Sequence, residues 1–199
     1  LKIYSGAQPA SANDAPTGTL LVTITDTSGA HTAEVQSVGS VDLTGGGAGS
    51  LDTLTVNSIE IMGSATAFNT SLAQTAADVV AKINKNPKNK LFETFVSATD
   101  QINIRAKPGL GTLPNGWVVA STATTITKTD ANMAGGVAAV NGLNFETATA
   151  GSLTKRSGQT WSGVVGSTGT AGWFRLEAPM ADSGALDSAE AYLRLDGAV

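Results

Sequence analysis

Leucine, valine and isoleucine fall at alternate positions through much of this chain, and at helical spacing over one stretch only. Residues 1–4 form a short alternating run. A polar stretch punctuated by Pro9, Asn13, Asp14 and Pro16 then reads as a loop. Leu20, Val22 and Ile24 alternate with Thr23 and Thr25, the period of a half-buried strand. Residues 39–50 lose almost all bulk, and Gly45, Gly46, Gly47 and Gly49 read as flexible linker, which places a boundary there. Alternation resumes at Leu54, Val56, Ile59 and Ile61, with a change of phase across Asn57 and Ser58 that suits a hairpin turn.

The helix is predicted between Ser71 and Asn86. Leu72, Ala76, Val79, Val80 and Ile83 make one apolar stripe. Ser71 with Gln74 fits a capping box, with Thr75 and Asp78 as a rival start one turn later. Lys82 and Lys85 occupy the last turn, where the helix dipole favours cations, and Pro87 stops the helix. Two strands, 92–98 and 101–106, are predicted around a tight Thr99–Asp100 turn. After a long turn at 107–116 come 117–120 and 124–129. The last third returns to short strand-like runs at 142–145, 153–155, 161–165, 173–178 and 191–195.

This order predicts a mainly β fold: an antiparallel β-sandwich formed by both chain ends, residues 1–44 plus 141–199, with a small α+β module at 51–140 inserted between them. The first segment is too short to bury a core alone and should pair with the last third. An insertion into a surface loop adds little loop-closure entropy. The runs at both chain ends are cut within strand-like patterning, so further residues are expected beyond them.

Composition narrows the functions available. The chain has no Cys, one His and a net charge of −4, with 14% charged residues and 5% aromatic. Disulfides and Cys-ligated metals are excluded. The acidic balance argues against a nucleic-acid face, and no apolar run approaches the ~20 residues that span a bilayer. His31 has only Asp26 and Glu34 as neighbouring ligands and reads as a surface-loop residue. The glycine run lacks the following helix and Lys of a phosphate loop. Ser157, Ser162 and Ser167 lack a base other than His31. Glu177, Asp182, Asp187 and Glu190 lack the aromatic platforms of a glycosidase cleft and read as a solvated loop. No enzyme activity, catalytic residue, metal or cofactor is therefore assigned.

Two sets of side chains suit contact with other proteins. Lys82, Lys85, Lys88 and Lys90 form an exposed basic patch, read first as a solvated helix end and otherwise as a site for an acidic partner. Trp117, Trp161 and Trp173 read as core anchors or contact groups. With Trp161 and Trp173, the residues Leu1, Ile3, Tyr4, Phe174 and Arg175 are the candidate contact surface.

The strings LKIYSGAQPA (1–10), GTLLVTI (18–24), GLNF (142–145), TWSG (160–163) and GTAGWFRL (169–176) resemble small structural proteins of tailed-bacteriophage virions. In that group the two halves usually lie closer together, which fits an inserted middle. VNSIEI (56–61), AKIN (81–84), PNGWVV (114–119) and NMAGGV (132–137) are similar to a module of phage tail, fibre and other surface proteins. The resemblance implies a virion protein, made in the host bacterial cytoplasm and held on the particle surface. It transfers no catalytic residue. The expectation is a decoration or cement protein on the capsid exterior. It would be a homo-oligomer contacting the major capsid protein or other virion proteins, with no nucleic acid or membrane partner. A tail, neck, baseplate or fibre component is the alternative, as is a receptor- or carbohydrate-binding module.

Overall fold

A computed structural model describes residues 1–98, 100–186 and 193–199. In chain order its strands are β1 (Lys2–Ser5), β2 (Leu20–Thr23), β3 (Thr25–Asp26), β4 (Val38–Gly45), β5 (Ser50–Val56), β6 (Ile59–Glu60) and β7 (Thr66–Ala67). The helix α1 (Leu72–Lys85) follows, then β8 (Phe92–Ser97), β9 (Gln101–Ala106), β10 (Val119–Thr124), β11 (Thr127–Ala134), β12 (Trp161–Ser162), β13 (Ala171–Glu177) and β14 (Arg194–Ala198). The fold is mainly β with one helix, and its sheets are antiparallel. Two compact units divide it: Leu1–Glu34 with Ala139–Val199, and Val35–Ala138.

In the second unit the sheets run β11-β4-β9-β8 and β10-β5-β6, with β7 also paired to β5. They share one core, built from Val41 and Leu43 of β4, Leu51, Leu54 and Val56 of β5, Ile102 and Ile104 of β9, and Val79 and Ile83 of α1. Leu51 and Leu54 are three apart, so a regular strand would put them on opposite faces. The pairing of β5 with β10 slips between Thr122 and Ala123, passing over Asp52, and this bulge turns both leucines inward. Ser71 caps α1 by accepting Gln74 N–H at 3.1 Å. The side chain of Gln74 donates to Asp78 instead of closing a capping box. Thr75, Ala76, Val79 and Ile83 are the buried stripe, and Leu72 and Val80 pack at its margin. At the Asn57–Ser58 turn both residues have positive φ, 49° and 66°, the twist a two-residue hairpin needs.

The glycine-rich segment read as a linker lies inside this unit. It turns the chain from β4 to β5, and a Cβ at Gly49 would fall 1.9 Å from Thr124 O. Residues 39–45, read as bulkless, are a central strand. Val41 and Leu43 are its buried positions, and Gly39 is small because Val119 and Met133 press on it at 2.7 and 2.9 Å from an ideal Cβ. The unit boundaries therefore fall at 34/35 and 138/139, outside the glycine run.

In the first unit both chain ends meet in one four-stranded sheet, order β14-β13-β1-β2, beside a two-stranded ribbon of β12 and β3. The runs at 142–145 and 153–155 are not strands; they touch through the single bridge Phe145–Lys155. Residues 146–153 are all exposed, so their alternation has no core to face. The predicted strand at 191–195 lies partly outside the described residues, as do Thr99 of the predicted turn, Asp187 and Glu190.

Candidate functional site

The first unit's sheet has two unlike faces. Trp173, Arg175 and Glu177 alternate along β13 with Phe174 and Leu176; Arg194 and Asp196 alternate along β14 with Leu195 and Gly197. Ordinary alternation would turn the charges to water. Here they are inside. Arg175 is fully buried, and its guanidinium donates to both Asp196 oxygens, at 2.8 and 2.7 Å, and to Asp14 O at 3.0 Å. Arg194 grips Asp182 at 2.7 and 2.6 Å and reaches Asn13 O at 3.2 Å and Ala185 O at 3.0 Å. Trp173 stacks on Tyr4 with centroids 4.4 Å apart and donates from Nε1 to Thr17 O at 3.3 Å. Lys2 pairs with Glu177 at 2.8 Å. Both arginines and the indole thus hold the loop between β1 and β2 by its backbone carbonyls.

The pKa directions follow this network. The Arg194 hydrogen bonds hold the Asp182 carboxyl below its ordinary value, against the effect of burial. Asp196 raises the Arg175 guanidinium. Burial, with Glu177 nearby, raises the Tyr4 phenol.

The opposite face is apolar and uncharged. Register places Val22 beside Ile3, Ile3 beside Phe174 and Phe174 beside Gly197, one row across all four strands. A second row joins Leu1, Leu176 and Leu195, the last two directly opposite each other. Leu1, Ile3, Val22, Phe174 and Leu176 are half-buried, while Leu195 is 59% and Val199 68% exposed.

This sorts the predicted contact residues. Leu1, Ile3 and Phe174 share the apolar face. Tyr4, Trp173 and Arg175 are interior groups and are not on a surface that a partner meets. Trp161 is half-buried, with Phe145 edge-on at 5.1 Å and its Nε1 bonded to Gln159 at 3.0 Å. Trp117 packs against the second unit's core, edge-on to Phe92. Of the basic patch, Lys82 is tied to Ser64 O and Ala65 O at 3.3 and 2.6 Å, whereas Lys85, Lys88 and Lys90 are exposed. Sequence reasoning missed Asp14, Asp182, Arg194 and Asp196 as partners. The available signal was a set of opposite charges at alternate positions of two strands, which the usual rule assigns to solvent.

Several of the remaining candidates have structural partners. His31 is exposed, with Nδ1 3.1 Å from Val140 O, beside a shallow cavity of about 350 Å³ that Leu20, Thr25 and Val164 also line. Ser162 bonds to Ser28 at 2.9 Å, and Asp26 accepts Thr160 N–H. Glu177 and Asp182 are both in ion pairs. Among the described residues no three His, Cys, Asp or Glu side chains converge as metal ligands, and no helix is long and apolar enough to cross a membrane. No protein-family model matches the chain, and no curated protein or solved structure matches it.

Proposed function

We propose that this chain is a structural component of a bacteriophage virion, a decoration or cement protein bound to the capsid exterior through the apolar sheet face of its first unit. One observation carries the reading: the sheet turns its charges inward and keeps its other side aliphatic and uncharged, with Leu195 and Val199 exposed there. A sheet that ends on solvent reverses that arrangement. A face of this kind is stabilised by what docks on it. The likeness of the strings at 1–10, 18–24 and 169–176 to phage structural proteins supports a phage particle as the setting, and those strings contain β1, β2 and most of β13.

A role in the tail or neck would use the same face and differ in copy number. Quantitative mass spectrometry of purified particles separates the two. Copies in proportion to the capsid lattice are expected. Copies matching a tail ring would move the protein to the tail, and absence from the particle would end the virion reading.

A further inference from the structure

In the second unit Arg105 pairs with Glu93, Lys128 pairs with Asp130 at 2.6 Å, and Lys82 donates to two backbone carbonyls. The side chains of Lys85, Lys88, Lys90 and Lys107 have no such partner among the described residues, and all are exposed. They belong to one end of the unit. Lys107 N–H donates to Leu91 O at 2.8 Å, next to Lys90. Lys107 also lines a shallow cavity of about 350 Å³ with Asn84 and Asn89, the chain neighbours of the other three.

The helix dipole accounts for Lys85 alone. Its effect fades beyond the last turn. Lys88 and Lys90 come after Asn86, the cap of α1, and Lys107 comes after β9. The fold gains nothing from gathering like charges, which repel. The residues interleaved with them, Asn84, Asn86 and Asn89, are amides and carry no offsetting charge. Of the nearby carboxylates, Glu93 is held by Arg105, and Asp78 is held by Asn69 and Gln74 at 2.8 and 2.9 Å.

The backbone that carries these lysines is fixed. Asn86 Nδ2 donates to Ile61 O at 2.8 Å, and its Oδ1 accepts Lys88 N–H at 3.1 Å. Lys90 N–H donates to Lys88 O at 3.0 Å. Asn89 accepts Phe92 N–H at 3.2 Å and donates to Phe92 O at 2.9 Å. Asn84 does the same for Thr94, at 3.0 and 2.8 Å. An untethered helix end frays; this one is pinned, and it presents its ammonium groups from a set position.

We propose that this end of the second unit docks an acidic protein segment whose carboxylates meet Lys85, Lys88, Lys90 and Lys107. The surroundings select that partner. A nucleic acid brings phosphates and bases, but Glu93 lines the cavity as a like charge, and Arg105 lies over the Phe95 ring, 5.0 Å from its centroid, where a base or a sugar would stack. A lipid surface calls for large apolar side chains beside the cations, and residues 84–90 are only Asn, Lys and Pro. An ammonium is a compact point charge that takes a carboxylate from many directions. Exposed pairs of this kind are individually weak, so the joint needs several carboxylates together and is sensitive to salt.

The proposal does not rest on the virion reading, because it is tested on the purified chain alone. A labelled oligoglutamate followed by fluorescence anisotropy is the probe. It should bind at low salt and lose about tenfold in affinity between ~10 and ~150 mM salt, as the Debye length shortens from about 30 to about 8 Å. Lys88→Gln with Lys90→Gln should weaken binding about tenfold with unchanged circular dichroism, because only the main chains of these residues are bonded within the fold. Lys155→Gln with Arg156→Gln removes the same charge from the first unit and should change the affinity by less than about twofold. An oligonucleotide and an oligogalacturonate of equal charge, and phosphatidylglycerol vesicles, should all bind more weakly than the peptide. A native chain that does not bind oligoglutamate, equal losses from the two double variants, or tighter binding of the nucleic acid, the glycan or the vesicles would each overturn the proposal.

Discussion

Arg175 and Arg194 stand where the first unit would otherwise need large apolar side chains. A buried arginine is tolerable only when its donors are all engaged, and here carboxylates take one side of each guanidinium and loop carbonyls the other. This makes the unit sensitive to acid. The Asp182 carboxyl titrates below its ordinary value because Arg194 favours the charged form. In the unfolded chain an aspartate titrates near ~3.9, so the pair's contribution is whole above that pH and is lost as pH falls through the lower folded value. Asp182→Asn should lower the denaturation midpoint at neutral pH and flatten its fall on acidification. Denaturant titrations followed by near-ultraviolet circular dichroism of the Tyr4–Trp173 stack would show this; an unchanged slope would refute it. None of these pairings was legible beforehand. Alternation along β13 and β14 separates charged from aliphatic positions, but which face is covered depends on where the loop at 12–17 packs, and that loop has no periodicity to read.

At the scale of elements, sequence signals worked where burial and period agree. α1, the β5–β6 hairpin and the β8–β9 pair were all readable because each has a repeating apolar position, a cap or a turn. β4 was not, since Gly39 and Gly45 dilute a strand whose small residues are demanded by close packing against Val119, Met133 and Thr127. The Asn57–Ser58 turn offers a direct check. Ser58 holds a left-handed φ of 66°, a conformation that penalises a side chain by about 1–2 kcal/mol relative to glycine. Ser58→Gly should therefore stabilise the second unit by about 1 kcal/mol. Thermal unfolding followed by Trp117 fluorescence would show the rise; a fall would mean the turn is held by the serine itself.

At the scale of the molecule, two units divide the chain by different means of stabilisation. The second has an aliphatic core shared by two sheets and a helix, and edges closed by Asn84, Asn89, Asp130 and Asn132. The first has a short sheet pinned by ion pairs, with one apolar face. That the two ends fold together was legible from the shortness of the first segment. Of the residues read as a contact surface, Leu1, Ile3 and Phe174 lie on the apolar sheet face, whereas Tyr4, Trp173 and Arg175 are buried beneath it, because aromatic and charged groups at strand positions look alike whether they meet a partner or a loop.

If the apolar face is the dock, add-back of this chain to particles that lack it measures this directly. Ile3→Glu with Leu176→Glu places charge on β1 and β13, with folding verified by the Tyr4–Trp173 signal. The prediction is that this variant fails to bind while Lys85→Glu with Lys88→Glu, on the second unit, binds like the native chain. Binding of the folded sheet variant at native level, or loss of binding by the lysine variant alone, would contradict it.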